Sequence, residues 1–111
     1  MLSNYNGKLL IYTSSVRSYR TRLRIVGSAA RKIAESLGLD LEIIRFRSRS
    51  STIHVYYKNG NDDEIPLYSA KDEVLNEETV YKALRNMIFV LSFHPRYPGL
   101  KKIRREVMKL S

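Results

Sequence analysis

The chain has 111 residues, of which 20 are Lys or Arg and 11 are Asp or Glu, giving a formal charge of +9, and it holds no Cys and no Trp. That length suits one domain with one modest core, and 43% apolar with 28% charged residues is an ordinary globular balance. Without Cys there are no disulfides, no thiolate nucleophile and no thiol redox chemistry, and the usual zinc sites go with them; a pI near 10 predicts polyanionic partners.

A first strand, β1, is predicted at Lys8 to Thr13, where Leu9, Leu10, Ile11 and Tyr12 form an apolar run between Gly7 and Ser14-Ser15. From Val16 the period changes. Val16, Tyr19, Leu23, Val26, Ala30, Ile33 and Leu37 step by three and four, which predicts a helix, α1, ending near Gly38. Arg17, Arg20, Arg24 and Arg31 form a second stripe on the same cylinder, about 120° from the apolar one at ~100° per residue. Leu41 to Arg47 is rich in β-formers and reads as β2, which Ser48-Arg49-Ser50-Ser51 ends. In Thr52 to Lys58 (β3), Ile53, Val55 and Tyr57 alternate with His54, Tyr56 and Lys58, and the hairpin pair Asn59-Gly60 follows. The returning strand β4, Glu64 to Tyr68, contains Pro66, which cannot donate to a ladder, so β4 is predicted at a sheet edge. Asn76 is placed to cap a last helix, α2, with Glu77 and Glu78 at its positive end and Val80, Leu84, Met87, Ile88 and Leu91 as its buried stripe, stopping by Phe93-His94-Pro95.

The expected architecture is therefore α/β, in the order β1-α1-β2-β3-β4-α2, with a mixed sheet: a crossover gives β1 and β2 parallel, and the hairpin adds antiparallel strands. This is the layout of a reduced thioredoxin-like domain. A ferredoxin-like βαββαβ domain ranks second, because no good strand follows α2. Residues 1–92 are expected as the domain and 93–111 as a basic C-terminal tail. No run approaches the ~18–20 apolar residues of a membrane span, and Met1 to Gly7 lacks the build of a secretory signal, so an intracellular soluble protein is expected. Val16 to Leu37, Arg-rich and amphipathic with Glu35 as its only acid, has the character of an internal mitochondrial import signal; a basic helix of a cytosolic protein is the alternative.

Catalytic chemistry is scarce. His54 and His94, 40 positions apart, read as ordinary polar histidines rather than metal ligands. Ser14, His54 and Asp62 form a triad only on paper, since no nucleophile elbow surrounds any serine. The five glycines are scattered, with no phosphate-cradling loop, and Asp62-Asp63-Glu64 lacks the ligand spacing of a calcium loop. Where a thioredoxin carries its Cys pair stands Ser14-Ser15-Val16-Arg17-Ser18, so there is no redox Cys pair. No enzymatic activity, metal or cofactor is expected.

Charge is the informative feature. Residues 1–60 carry +8, residues 61–80 carry −6 and residues 81–111 carry +7. Three basic groups stand out: Arg17, Arg20, Arg24 and Arg31 on α1; Arg45, Arg47 and Arg49, alternating at the end of β2; and Arg96, Lys101, Lys102, Arg104 and Arg105 in the tail. Arg predominates in the first two, as suits bidentate phosphate binding, and the whole set is expected to bind RNA. Tyr12, Tyr56 and Tyr97 are further candidates for base stacking, in competition with packing on the sheet.

Ser14-Ser15 followed by Arg17 and an Arg-bearing helix, then Leu41-Glu42-Ile43-Ile44-Arg45, Tyr57-Lys58-Asn59-Gly60, Ile65-Pro66-Leu67 and Glu77 to Met87 with Lys82-Ala83-Leu84-Arg85-Asn86, together span about two thirds of the chain. Taken together they resemble the thioredoxin-like domain shared by small mitochondrial ribosomal proteins and an accessory subunit of respiratory complex I (NADH:ubiquinone oxidoreductase). The resemblance implies a non-catalytic building block of a large assembly in the mitochondrial matrix. Ile65-Pro66-Leu67 and Lys82-Ala83-Leu84 look more like the complex I subunit, which would make complex I subunits the partners. Phe93-His94 and Pro98-Gly99-Leu100-Lys101 look like the large-subunit ribosomal branch, with rRNA and ribosomal proteins as partners. The +9 charge and terminal Lys101-Lys102-Ile103-Arg104-Arg105 favour the ribosomal branch. A free-standing basic nucleic-acid-binding domain is the third expectation.

Overall fold

A computed structural model describes residues 7–14, 20–47, 52–60, 63–71 and 75–110. Val16, Arg17, Tyr19, Arg49 and Asp62 lie outside these residues. The elements are β1 (Lys8–Ser14), α1 (Arg20–Leu37), β2 (Asp40–Phe46), β3 (Ile53–Lys58), β4 (Ile65–Ala70) and α2 (Glu77–Leu91), followed by two short helices, α3 (Pro98–Lys102) and α4 (Arg104–Met108). The sheet runs β2-β1-β3-β4. β1 and β2 are parallel, with Leu9 opposite Leu41 and Thr13 opposite Arg45, while β1–β3 and β3–β4 are antiparallel. This is the α/β order and mixed sheet of the thioredoxin-like layout. Only helices follow α2 among the described residues, so the last strand of a ferredoxin-like fold is not formed there.

Local chemistry sets the boundaries. Gly38 takes φ 68°, and Leu39 N–H donates to the Ala34 carbonyl at 2.8 Å, a Schellman closure of α1. The Asn76 side chain accepts from Thr79 N–H at 3.2 Å and opens α2. Pro66 sits on edge strand β4, where the register shifts so that Tyr56 faces Pro66 and Val55 faces Tyr68. That bulge leaves Leu67 between the two pairs, where it is buried.

Both main helices pack on one face of the sheet. Leu9 and Ile11 of β1, Ile53, Val55 and Tyr57 of β3, and Ile65 and Leu67 of β4 form one core with Val26, Ala30, Ile33 and Leu37 of α1 and Val80, Leu84 and Ile88 of α2. Each large aliphatic chain buried there contributes about 1.5–3 kcal/mol. Leu100, Ile103 and Val107 belong to the same core. The basic segment expected as a tail is thus amphipathic at helical spacing: three apolar side chains face inward while Lys101, Lys102 and Arg105 stay exposed.

The opposite face of the sheet carries Tyr12, His54 and Tyr56. The Tyr12 hydroxyl donates to the Glu64 carboxylate, 2.8 and 2.9 Å from its two oxygens, and the Tyr12 ring meets Tyr56 edge-on at 5.4 Å. That bond to Glu64, with partial burial, pushes the phenol pKa up to about 12. No helix among the described residues is long and apolar enough to cross a membrane.

Candidate nucleic-acid interface

The α1 arginine stripe meets β2 at the sheet edge. Among the described residues β2 pairs only with β1, which makes it an edge strand, and Leu41 and Ile43 remain half-buried beneath α1. Ile43 and Arg45, two residues apart on the helix-facing side, point into the opening. Arg20, Leu23, Arg24, Gly27, Ser28 and Arg31 of α1, together with Ile43 and Arg45, line a groove of about 560 Å³. It lies at the carboxyl end of the parallel β1–β2 pair, where open α/β sheets commonly take ligands.

Four guanidinium groups therefore converge on one groove. Arg20, Arg24, Arg31 and Arg45 are all exposed, and none has a carboxylate partner among the described residues. Three nearby acids pair with lysines: Glu42 with Lys8 at 3.2 Å, Glu77 with Lys32 between α1 and α2, and Glu78 with Lys82 at 3.1 Å, while exposed Glu35 lies one helical turn beyond Arg31 without forming a salt bridge to it. Lys32, and secondarily the Ser28 hydroxyl, hold the Glu77 carboxyl below its ordinary pKa. Two positive charges one helical turn apart, ~6 Å, repel by ~0.7 kcal/mol even in water. An arriving polyanion relieves that repulsion, and each guanidinium offers a planar fork of donors to phosphate oxygens.

The other predicted cations are dispersed. Arg47 is exposed just past β2 but does not line the groove, and Arg17 and Arg49 lie outside the described residues. Arg96 lines a separate cavity of about 280 Å³ with Tyr57, Asn59, Asp63 and Tyr97, at the opposite end of the strands. Lys101, Lys102 and Arg105 are exposed on α3 and α4. Arg104 is committed internally. Its guanidinium donates to the Ser92 carbonyl at the end of α2 and to Ser92 Oγ at 3.3 Å, and it lies 3.9 Å from the centroid of the Phe93 ring. A cation there satisfies the helix C-terminus and clamps α4 onto α2.

Leu23, Gly27, Ser28 and Ile43 complete the groove, although sequence reasoning singled out none of them as site residues. Position on the helical wheel marks Gly27 and Ser28, which lie three and four residues after Arg24. Both histidines have structural partners: His54 Nδ1 lies 2.9 Å from Ser69 Oγ, and His94 Nδ1 accepts from Arg96 N–H at 3.1 Å while its ring stacks on Tyr97 at 4.9 Å. Among the described residues no three His, Asp or Glu side chains gather as a metal site would require. No protein-family model matches the chain, and no curated protein matches it.

Proposed function

We propose that this protein is a structural, non-catalytic component of the mitochondrial ribosome, in its large subunit, that holds rRNA by its backbone and packs against neighbouring proteins in the matrix. The observation that carries this reading is the convergence of Arg20, Arg24, Arg31 and Arg45 on one groove, none of them in a salt bridge among the described residues. The resemblance of the Ser14 to Met87 segment to the domain shared by small mitochondrial ribosomal proteins and a complex I accessory subunit, and the Arg-rich character of α1, supply the mitochondrial part; Phe93-His94, Pro98-Gly99-Leu100-Lys101 and the +9 charge favour the ribosomal branch.

A second reading, an accessory subunit of respiratory complex I, draws on a different surface. Met87, Val90 and Phe93 of the α2 end and Met108 of α4 are large apolar side chains left 40–63% exposed, as suits a protein neighbour. Sedimentation of tagged protein from a mitochondrial lysate separates the two. Ribosomal co-sedimentation that nuclease or EDTA abolishes supports the first reading. Migration with NADH dehydrogenase, indifferent to nuclease, refutes it in favour of the second, and RNA binding with neither assembly points to a free-standing nucleic-acid-binding domain.

A further inference from the structure

Gly27 is the eighth residue of the 18-residue helix α1. Glycine is disfavoured in a helix interior relative to alanine, and the common reason to keep one is a neighbour that leaves no room for a methyl group. Two other glycines have such a neighbour: a Cβ on Gly99 would lie 2.6 Å from Asn59 Nδ2, and one on Gly7 would lie 2.7 Å from the Lys58 carbonyl oxygen. At Gly27 nothing among the described residues comes within 4 Å of an added Cβ. The residue is nevertheless buried from water between its flanking side chains and lines the groove floor, where a Cβ would meet no described atom within 4 Å outside its own stretch of helix. Arg24 lies three residues before it and Arg31 four after, on the same side of the helix.

We infer that this floor is a close-approach site for the sugar-phosphate backbone of RNA: Gly27 admits the strand to the helix surface, and Arg20, Arg24, Arg31 and Arg45 grip its phosphates. From Arg20 to Arg31 is eleven residues, ~16 Å along the helix axis, a span that fits a linear polyanion better than one isolated phosphate. Contacts of this kind are made to the backbone and not to base edges, so binding is indifferent to sequence. The inference rests on the RNA-binding reading above and adds where the strand lies and how closely it approaches.

The experiment pairs thermal unfolding with fluorescence anisotropy on a labelled poly(U) strand of about 20 nucleotides, long enough to fill one site. Gly27→Ala is expected to raise Tm by roughly 4 °C, through better helix propensity, and to weaken poly(U) binding about five-fold or more, the loss of at least one phosphate contact. Arg24→Gln is expected to weaken binding about five-fold without that gain in Tm. If Gly27→Ala binds like the parent while Arg24→Gln is weakened, the close approach is refuted. A fall in Tm for Gly27→Ala also refutes it, because the space is then filled from within the chain. If the parent binds poly(U) and neither substitution matters, the strand lies elsewhere and the inference fails. Failure of the parent to bind poly(U), despite nuclease-sensitive sedimentation with ribosomes, overturns the backbone contact while leaving the ribosomal reading intact. Absence of both removes the reading itself.

Discussion

Replacing Arg24 by Gln removes one charge from the groove wall and keeps a long, helix-compatible side chain at an exposed position, so the fold should survive. The effect on RNA is calculable. For single strands the logarithm of affinity falls with the logarithm of salt concentration by about 0.7 for each phosphate neutralised. Four arginines on the groove therefore contribute a slope of about −2.8, and Arg24→Gln makes the measured slope shallower by about 0.7, whatever the other cations add. At ~0.1 M salt one lost contact is about five-fold in affinity, or ~1 kcal/mol, and at ~0.3 M only about two-fold. The double variant Arg24→Gln/Arg45→Gln should lose about 25-fold at ~0.1 M, with its slope shallower by about 1.4. Anisotropy titrations with poly(U) across several salt concentrations give these slopes directly. Slopes that superimpose on the parent's, from variants with unchanged Tm, would show that the groove touches no phosphate.

Leu100 is fully buried in the common core, so Leu100→Ala should cost 2–5 kcal/mol in urea unfolding, by typical cavity values; a midpoint close to the parent's would mean that α3 does not support the domain. Arg104→Gln removes the clamp between Ser92 and α4, and a loss of about 1.5–3 kcal/mol is expected to appear in Tm and not in the RNA salt slope. Tyr12 offers a test at alkaline pH. Because its folded pKa of about 12 lies above the ordinary 10.0 of a free phenol, the Glu64 bond stabilises the fold fully below pH about 10 and is lost as pH rises towards 12. In ultraviolet titration of the phenols, Glu64→Gln should move one late-ionising tyrosine to lower pH; identical curves for the two proteins would refute the assignment.

Alternation and three-to-four spacing made the strands and main helices legible in the sequence, and a single proline placed β4 at the edge. Charge obscured the C-terminal segment. Leu100, Ile103 and Val107 recur at helical spacing, but they lie among Lys101, Lys102, Arg104 and Arg105, and the density of cations reads as solvated chain. Composition likewise fails to separate Arg104 from Arg105. Only with Ile103 and Val107 fixed inward does one of these neighbours fall beside Ser92 and Phe93 while the other faces water. The groove was legible by half. The α1 stripe followed from helical angles, but its meeting with Arg45 depends on β2 lying outermost, which is a property of the strand order. The Leu67 bulge had no sequence marker beyond Pro66 next to it.

Open sheets invite their own copies to add strands, and this one has two rims to defend. Along β4, Pro66 supplies no amide proton and the kink at Leu67 spoils the regular repeat that an incoming strand would need to match. Along β2, exposed Glu42 and Arg45, with Arg47 just beyond its end, stud the rim with charge that an incoming copy would have to strip of water. The arginines of the groove rim thus also act as a bumper between identical molecules, discouraging fibre-like stacking.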